Sequence, residues 1–194
     1  PGDNVAVAVD PNTPQVERVL AAVLQLLQKS DAASICVVVG DEAIPSTMHA
    51  IADVAGATAK VEVHQPANRE ALRFLGPDAS GYPIYLNRFL VDADFVLPIT
   101  SGRCGDLDYQ SDLYGFFPAF SDSASRLRLM NPPREVGAEA ADPNEPAMLL
   151  GAQLMLSVTS SDAGQAAQIV AGTTIGVRKR LQETRHIANG KSPT

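Results

Sequence analysis

Three short runs rich in valine lie in the first third of the chain and constrain its fold more than any other feature. They occupy residues 5–9, 35–39 and 61–64, and each leads into a turn containing Gly, Pro or Asp. The first two runs are apolar throughout, which is typical of strands buried on both faces. Helical periodicity separates the runs, so we predict a β-α-β-α-β order with right-handed crossovers and a parallel, Rossmann-like sheet flanked by helices.

The segment after the first run shows the clearest helical pattern. Apolar side chains in residues 16–27 recur at spacings of three and four, which predicts an amphipathic helix ending near Lys29. Thr13 is placed to cap this helix, and Pro14 to occupy its first position. We therefore expect the loop after the first strand to end at Thr13.

The rest of the chain continues the α/β pattern and then changes character. We predict one α/β domain over residues 1–194, made of a β-α-β core (1–100), an irregular aromatic and Pro-rich tract (100–146), and a C-terminal β-hairpin with a helix (147–194). In the core, the further predicted elements are a helix over 45–56, a helical stretch over 68–75, a strand over 82–88 that leads into a short helix, and a buried strand over 95–99. In the C-terminal part they are an apolar run at 148–156, a turn at 162–164, a return strand over 165–170 and a helix from 174 to about 185.

Polar residues follow each predicted parallel strand. In such sheets, ligands bind outside the carboxyl ends of the strands. Those ends fall at residues 10–14, 40–45, 64–66 and 100–108. Neither of the Gly-rich phosphate-binding patterns, GxGxxG or GxxxxGK[ST], occurs there. We therefore expect a ligand site at this edge without a glycine-built phosphate cradle.

Composition excludes several classes of function. The net charge is −7, which disfavours non-specific binding to nucleic acid or to an anionic membrane, and no apolar run approaches a membrane span. The one basic cluster, residues 178–180, is interpreted as the solvated face of the last helix. Two cysteines make no disulfide framework, so we expect a cytoplasmic protein in which Cys36 is a small core residue.

One segment has a sequence specific enough to suggest a family. Residues 75–99 read LGPDASGYPIYLNRFLVDADFVLPI, in which Gly76 and Gly81 bracket a polar turn before Pro83. This segment resembles the "G…G-x-P-[IV]-x-[VL]-N-[RK]" turn and the "A-D-x-V" strand entry of the lactate racemase family. The resemblance spreads over most of the chain, although family members are about twice as long. It therefore implies that a second domain is absent from these 194 residues.

The resemblance implies a chemistry as well as a fold. Family members racemise or epimerise 2-hydroxy acids with a nickel-pincer nucleotide that is tethered to a lysine. A histidine also holds the nickel, two further histidines act as acid and base, and an arginine clamps the substrate carboxylate. The first loop of this chain has Thr13-Pro14 where the family has Thr-Arg-Pro, and the second has residues 40–43 where the family has Gly-Thr-His-Arg. No His or Lys occurs between Gly102 and Pro118, and Tyr114 stands nearest to the tethering position.

The candidate site residues follow from the sheet edge and from this resemblance, with no metal ligand assigned. A carboxylate in place of imidazole is a weak base near neutral pH, because its unperturbed pKa is near 4. His49 and His186 are interpreted as surface residues. The candidate catalytic residues are Asp41, Glu42, His64 and Asp108, and the candidate cofactor-binding residues are Asp10, Thr13, Gly40, Gly102, Arg103 and Tyr114.

Three hypotheses for the function stay open. The first is a 2-hydroxy acid racemase or epimerase with the nickel-pincer nucleotide. The second is a non-catalytic family member that serves as a ligand-binding or scaffold domain, and the third is an unrelated α/β domain. The abundance of Asp at the sheet edge favours a cationic or metal-bound ligand. We expect a small-molecule partner, either a 2-hydroxy acid or a nucleotide-like ligand, and either a homo-oligomer formed through the aromatic tract or contact with a second domain.

Overall fold

The computed structural model describes residues 2–78, 80–102, 115–130, 145–161 and 164–188. The strands are β1 (Asn4–Val9), β2 (Ser34–Val39), β3 (Lys60–Val63), β4 (Leu72–Pro77), β5 (Pro83–Asn87), β6 (Phe95–Ser101), β7 (Met155–Ser160) and β8 (Ala166–Gly172). The helices are α1 (Val16–Leu27), α2 (Pro45–Ala55), α3 (Arg88–Val91), α4 (Ser123–Met130), α5 (Glu145–Leu149) and α6 (Thr174–Ala188). Within these ranges no helix is long and apolar enough to cross a membrane.

Six strands form the main sheet, in the order β3-β2-β1-β6-β7-β8. The first five are parallel, and β8 returns antiparallel to β7. The N-terminal strand lies in the middle, where Val5 pairs with Ile35 of β2 on one side and with Phe95 of β6 on the other. The predicted α/β class, with a parallel Rossmann-like sheet, flanking helices and a C-terminal hairpin and helix, is confirmed.

Side-chain alternation along β1 feeds two separate core layers. Val7 and Val9 pack in the layer that contains the buried stripe of α1, including Leu20. Ala6 and Ala8 point into the opposite layer, where small side chains leave room for large aromatic rings. Each fully buried Val or Leu side chain stabilises the fold by about 1.5–3 kcal/mol. The double burial explains why this strand is apolar at every position.

The predicted helical stretch over residues 68–75 is wrong. A single 3-10 turn covers Arg69–Ala71, and the chain then enters β4, which pairs antiparallel with β5 in a separate two-stranded sheet. Contacts distant in sequence favour the strand over the helix. The Phe74 and Tyr85 rings lie 5.5 Å apart, and Arg73 makes a bidentate ion pair with Asp92. Tertiary contacts of this kind override local helix propensity.

The predicted start of α1 is also wrong by two residues. The helix begins at Val16, after Gln15 in a left-handed conformation (φ 51°), and no side chain caps it. The Thr13 N–H donates to the Asp10 carbonyl at 3.1 Å, so residues 10–13 form a tight turn of their own. Thr13 is buried in that turn and does not serve as the helix cap.

The described part of the aromatic tract contributes to the core rather than to a surface. Phe116, Phe117 and Phe120 are each at most 8% exposed, and Phe116 and Phe120 pack against Ala6 and Ala8. These three rings are therefore not available for the predicted oligomer contact. Most of the predicted irregular region, residues 103–114 and 131–144, lies outside the described residues.

Candidate functional site

The loop after β1 brings Asp10 against the end of β6. Its Oδ2 accepts hydrogen bonds from the Ser101 hydroxyl at 2.5 Å and from the Ser101 N–H at 3.2 Å, while its Oδ1 accepts from the Asn12 N–H at 2.8 Å. Three donors on one carboxylate fix its position. Asp10 therefore joins the ends of β1 and β6, the two strands at the centre of the sheet edge.

The loops after β1 and β2 touch through a second polar contact. The Asn12 side-chain amide donates to Glu42 Oε1 at 3.1 Å. Gly40 makes this approach feasible, because a Cβ at that position would lie 3.1 Å from Pro11 Cδ. Glu42 is exposed, so its carboxylate can be reached from solvent. The structure thus brings Asp10, Gly40 and Glu42 together at one edge, as the topology predicted.

Thr13 lies in the same loop and has an unusual environment. It is 4% exposed, and its Oγ1 has no hydrogen-bond partner among the described residues. An unsatisfied buried hydroxyl costs about 1–3 kcal/mol. The Thr13 hydroxyl, which does not cap α1, therefore has unused hydrogen-bonding capacity at a buried position.

Asp41 is engaged by an arginine far away in sequence. Arg126 of α4 donates from Nη1 and Nη2 to the two Asp41 oxygens at 2.9 and 2.8 Å, and its other donors contact the Pro118 and Ala119 carbonyls. Burial alone would raise the pKa of Asp41, but the hydrogen bonds and charge of Arg126 outweigh it and hold that pKa below its usual value. Asp41 is therefore held as an anion by Arg126, with its side chain still 33% exposed.

His64 lies immediately after β3 and is 1% exposed. Its Nε2 donates to the Ser121 carbonyl at 2.9 Å, and its Nδ1 accepts from the Asn87 amide at 3.4 Å. Burial lowers the pKa of His64, although the bond to Ser121 acts in the opposite direction. Both nitrogens of a neutral ring are thereby occupied, and the catalytic role assigned to His64 stays a prediction.

At the end of β6, Gly102 meets the neighbouring strand closely. Its N–H donates to the Val158 carbonyl at 2.6 Å, and a Cβ there would lie 2.6 Å from Thr159 Cγ2. Only glycine fits this approach. The remaining predicted site residues, Arg103, Asp108 and Tyr114, lie outside the described residues.

The donor set of the described residues does not fit a nickel-pincer nucleotide. The described residues contain no group of three His, Cys, Asp or Glu side chains that could hold a metal ion. The four lysines of the chain are residues 29, 60, 179 and 191, and the described ones among them follow α1, begin β3 and lie in α6, away from the carboxyl ends of β1, β2 and β6. Arg126, the one arginine described beside Asp41, is already bound to it.

A shallow groove of about 160 Å³ lies beside β3 and α3. Its polar lining is largely paired with itself: the Asn68 amide donates to Gln65, and Asn87 Oδ1 accepts from the Phe89 N–H. None of the sequence-predicted site residues lines it. We therefore place the candidate site at the edge formed by Asp10, Thr13 and Glu42.

Comparison with known proteins supports the fold alone. The chain is similar to the solved structure of the lactate racemase apoprotein from Thermoanaerobacterium thermosaccharolyticum, with a TM-score of 0.70 and 15% sequence identity. The similarity covers 94% of this chain and 48% of that protein, so the chain spans about half its length. No protein-family model matches the sequence, and no curated protein matches it. The described chain thus has a distant lactate-racemase-like fold.

Proposed function

We propose that this chain is a ligand-binding domain with a lactate-racemase-like fold, which takes a small hydroxyl-bearing molecule at the edge formed by Asp10, Thr13 and Glu42. The observation that carries the proposal is the buried Thr13 hydroxyl, which lacks a partner among the described residues. A ligand hydroxyl that displaces the groups covering Thr13 Oγ1 would satisfy it and remove the cost of leaving it unpaired. Glu42, exposed in the adjoining loop, supplies an acceptor for a second hydroxyl.

The charge of the edge supports a neutral or cationic ligand. Asp10, Asp41 and Glu42 lie there with one described arginine, Arg126, whose charge is matched by Asp41. The remaining carboxylates would repel an anionic 2-hydroxy acid. An acidic residue near the end of the second strand of such a sheet is suited to ribose hydroxyls. We therefore favour a nucleoside-like or sugar-like ligand over a phosphate-rich one.

The same geometry argues against proton transfer by the described candidates. A general base works best when its pKa lies near the operating pH. Arg126 holds the pKa of Asp41 below its usual value, and His64 has both nitrogens hydrogen-bonded in the interior. These residues are better suited to hold the loops than to exchange protons with a substrate.

The fold likeness favours a second candidate function. A TM-score of 0.70 to a lactate racemase apoprotein supports a racemase or epimerase of 2-hydroxy acids. In that case Asp41, Glu42, His64 and Asp108 would serve as acid and base, and a second domain would supply missing parts of the site. The residues described here do not fit the nickel-pincer nucleotide, so this candidate ranks second.

Isothermal titration calorimetry separates the two candidates. We would titrate the protein with adenosine, ribose and each enantiomer of lactate, and assay lactate racemisation in the same samples. The expected result is binding of adenosine or ribose that Glu42→Gln weakens about tenfold, by loss of a charge-assisted hydrogen bond. Asp53→Asn, which removes a charge from the exposed face of α2, is the matched control and should bind normally.

The outcomes are distinct. Racemisation that Asp41→Asn abolishes would support the second candidate and reject the first. Absence of binding to every probe, or binding that is equal in wild type and Glu42→Gln, would reject the ligand site proposed here.

A further inference from the structure

The main sheet ends in two edge strands of opposite character. β3 is four residues long and carries Lys60 and Glu62, joined by an ion pair of 2.7 Å. Short length and charge are devices by which proteins keep an edge strand from pairing with another chain. β8 is seven residues long, reads AAQIVAG, and contains neither a charge nor a proline. No strand among the described residues pairs with its outer edge.

The sequence that precedes and includes β8 is also poor in charge, and the nearest charged cluster, residues 178–180, lies on α6. Residues 146–177 contain one charged side chain, Asp162, in a chain with 15 basic and 22 acidic residues. Large apolar side chains in this stretch remain exposed: Ile169 is 54% exposed and Ile175 is 83% exposed. An exposed apolar surface joined to an unprotected strand edge indicates a site for a further strand.

Only one face of β8 is covered. Val170 packs with Val177 and Leu181 of α6, while burial alternates along the strand, so Ile169 points to the opposite face. On that face Ile169 pairs across the ladder with Val158 of β7 and remains half exposed. A strand added at the edge would place its own side chains beside Ile169 and remove it from water.

We infer that β8 pairs antiparallel with β8 of a second copy of this chain, about a two-fold axis at Ile169. The sequence around that axis is self-complementary. Ile169 lies opposite its own copy, and Ala167 lies opposite Ala171, so small residues flank the central pair on the open face. The two six-stranded sheets then form one continuous sheet through an isologous interface.

The lack of charge on β8 allows it to pair with a second copy. Each copy carries a net charge of −7, so two copies repel each other over most of their surfaces. Two β8 strands can pair without like charges facing each other. A foreign strand that pairs with β8 would also need to be uncharged. The β8 strand of a second copy is uncharged and has the same length, so the two strands can pair in full register.

Sedimentation velocity of the full chain tests the pairing. Between about 1 and 100 µM, we expect a monomer–dimer equilibrium. Ile169→Lys sets two like charges opposite each other at the axis and should raise the dissociation constant at least about tenfold. The control is Leu26→Lys, which adds the same charge at a 67% exposed position on α1 and should leave the equilibrium unchanged.

A second measurement on unmodified protein guards against a folding defect in the variant. Hydrogen exchange of the β8 amides that do not bond to β7 should slow as the protein concentration rises, while the amides of β3 should not change. A monomer at every concentration would overturn the inference. The inference would also be overturned if the Ile169→Lys variant is folded, still dimerises, and shows unchanged exchange of its β8 amides.

Discussion

The two sides of the candidate edge differ in how their polar groups are used. Beside β2 and β3, Asp41 and His64 have every hydrogen-bonding atom of their side chains engaged by Arg126, Ser121 and Asn87. Beside β1, Thr13 has a buried hydroxyl with no partner among the described residues. Among the residues that the sequence places equally at the functional edge, we therefore call Asp41 and His64 the structural side and Thr13 the available side.

The largest expected effect tests the structural side. Arg126→Ala removes both bonds to Asp41 and two bonds to backbone carbonyls, leaving a partly buried carboxylate unpaired. We expect the free energy of unfolding to fall by about 2 kcal/mol, measured by urea denaturation.

The matched control is Arg73→Ala. The Arg73–Asp92 pair has the same bidentate geometry, but its side chains are 57% and 49% exposed against 27% and 33% for Arg126 and Asp41. Its loss should cost clearly less than the loss of the Arg126 pair, because solvent screens an exposed ion pair. Equal losses in the two variants would contradict the structural role of Arg126.

The next effect concerns pH. The pKa of His64 is lowered in the folded protein, so as the pH falls through the unfolded value near 6.5 the unfolded chain binds a proton before the folded chain does. Stability should therefore decrease as the pH falls, by up to about 1.4 kcal/mol per pH unit. His64→Gln should flatten this slope, whereas substitution of the exposed His49 should not.

Asp41 accounts for a separate loss of folding stability at lower pH. The pKa of that carboxyl is lowered, so its contribution is complete above the unfolded value near 4 and is lost as the pH falls further. Thermal unfolding measured from pH 3 to pH 7 should resolve the two windows. A slope between pH 7 and 5 that persists in His64→Gln would show that His64 does not cause it.

The smallest effect tests the available side. Thr13→Val replaces the unpaired hydroxyl by a methyl group of similar size, so without ligand the free energy of unfolding should rise by about 0.5–1 kcal/mol. Thr184→Val is the control, since that hydroxyl is bonded to Gln168 and to the Arg180 carbonyl and its removal should destabilise. Destabilisation in both variants would mean that Thr13 is not free.

The strands of the parallel core could be predicted because their signal is local. Runs such as residues 5–9 are apolar at every position, and burial on both faces of β1 requires that pattern. The hairpin of β4 and β5 could not be predicted in full, since residues 68–75 carry a helix-like composition. Their strand conformation depends on Tyr85 and Asp92, which lie beyond the next turn.

The candidate site shows the same division between local signals and contacts distant in sequence. Topology alone placed Asp10, Gly40, Asp41, Glu42 and His64 at one edge. It could not find Arg126, because that residue reaches Asp41 across 85 positions and its short helix carries no distinguishing motif. Nor could it reveal that Ser121, 57 positions away, closes over His64.

The central place of β1 has a consequence for synthesis. Val5 pairs with Phe95, ninety positions later in the chain, so one edge of the first strand stays unpaired until β6 has left the ribosome. Non-local pairing of this kind slows folding and exposes apolar strands in the meantime. Nascent chains that stop before β6 should therefore depend on chaperones, and chains that extend beyond it should be released from them.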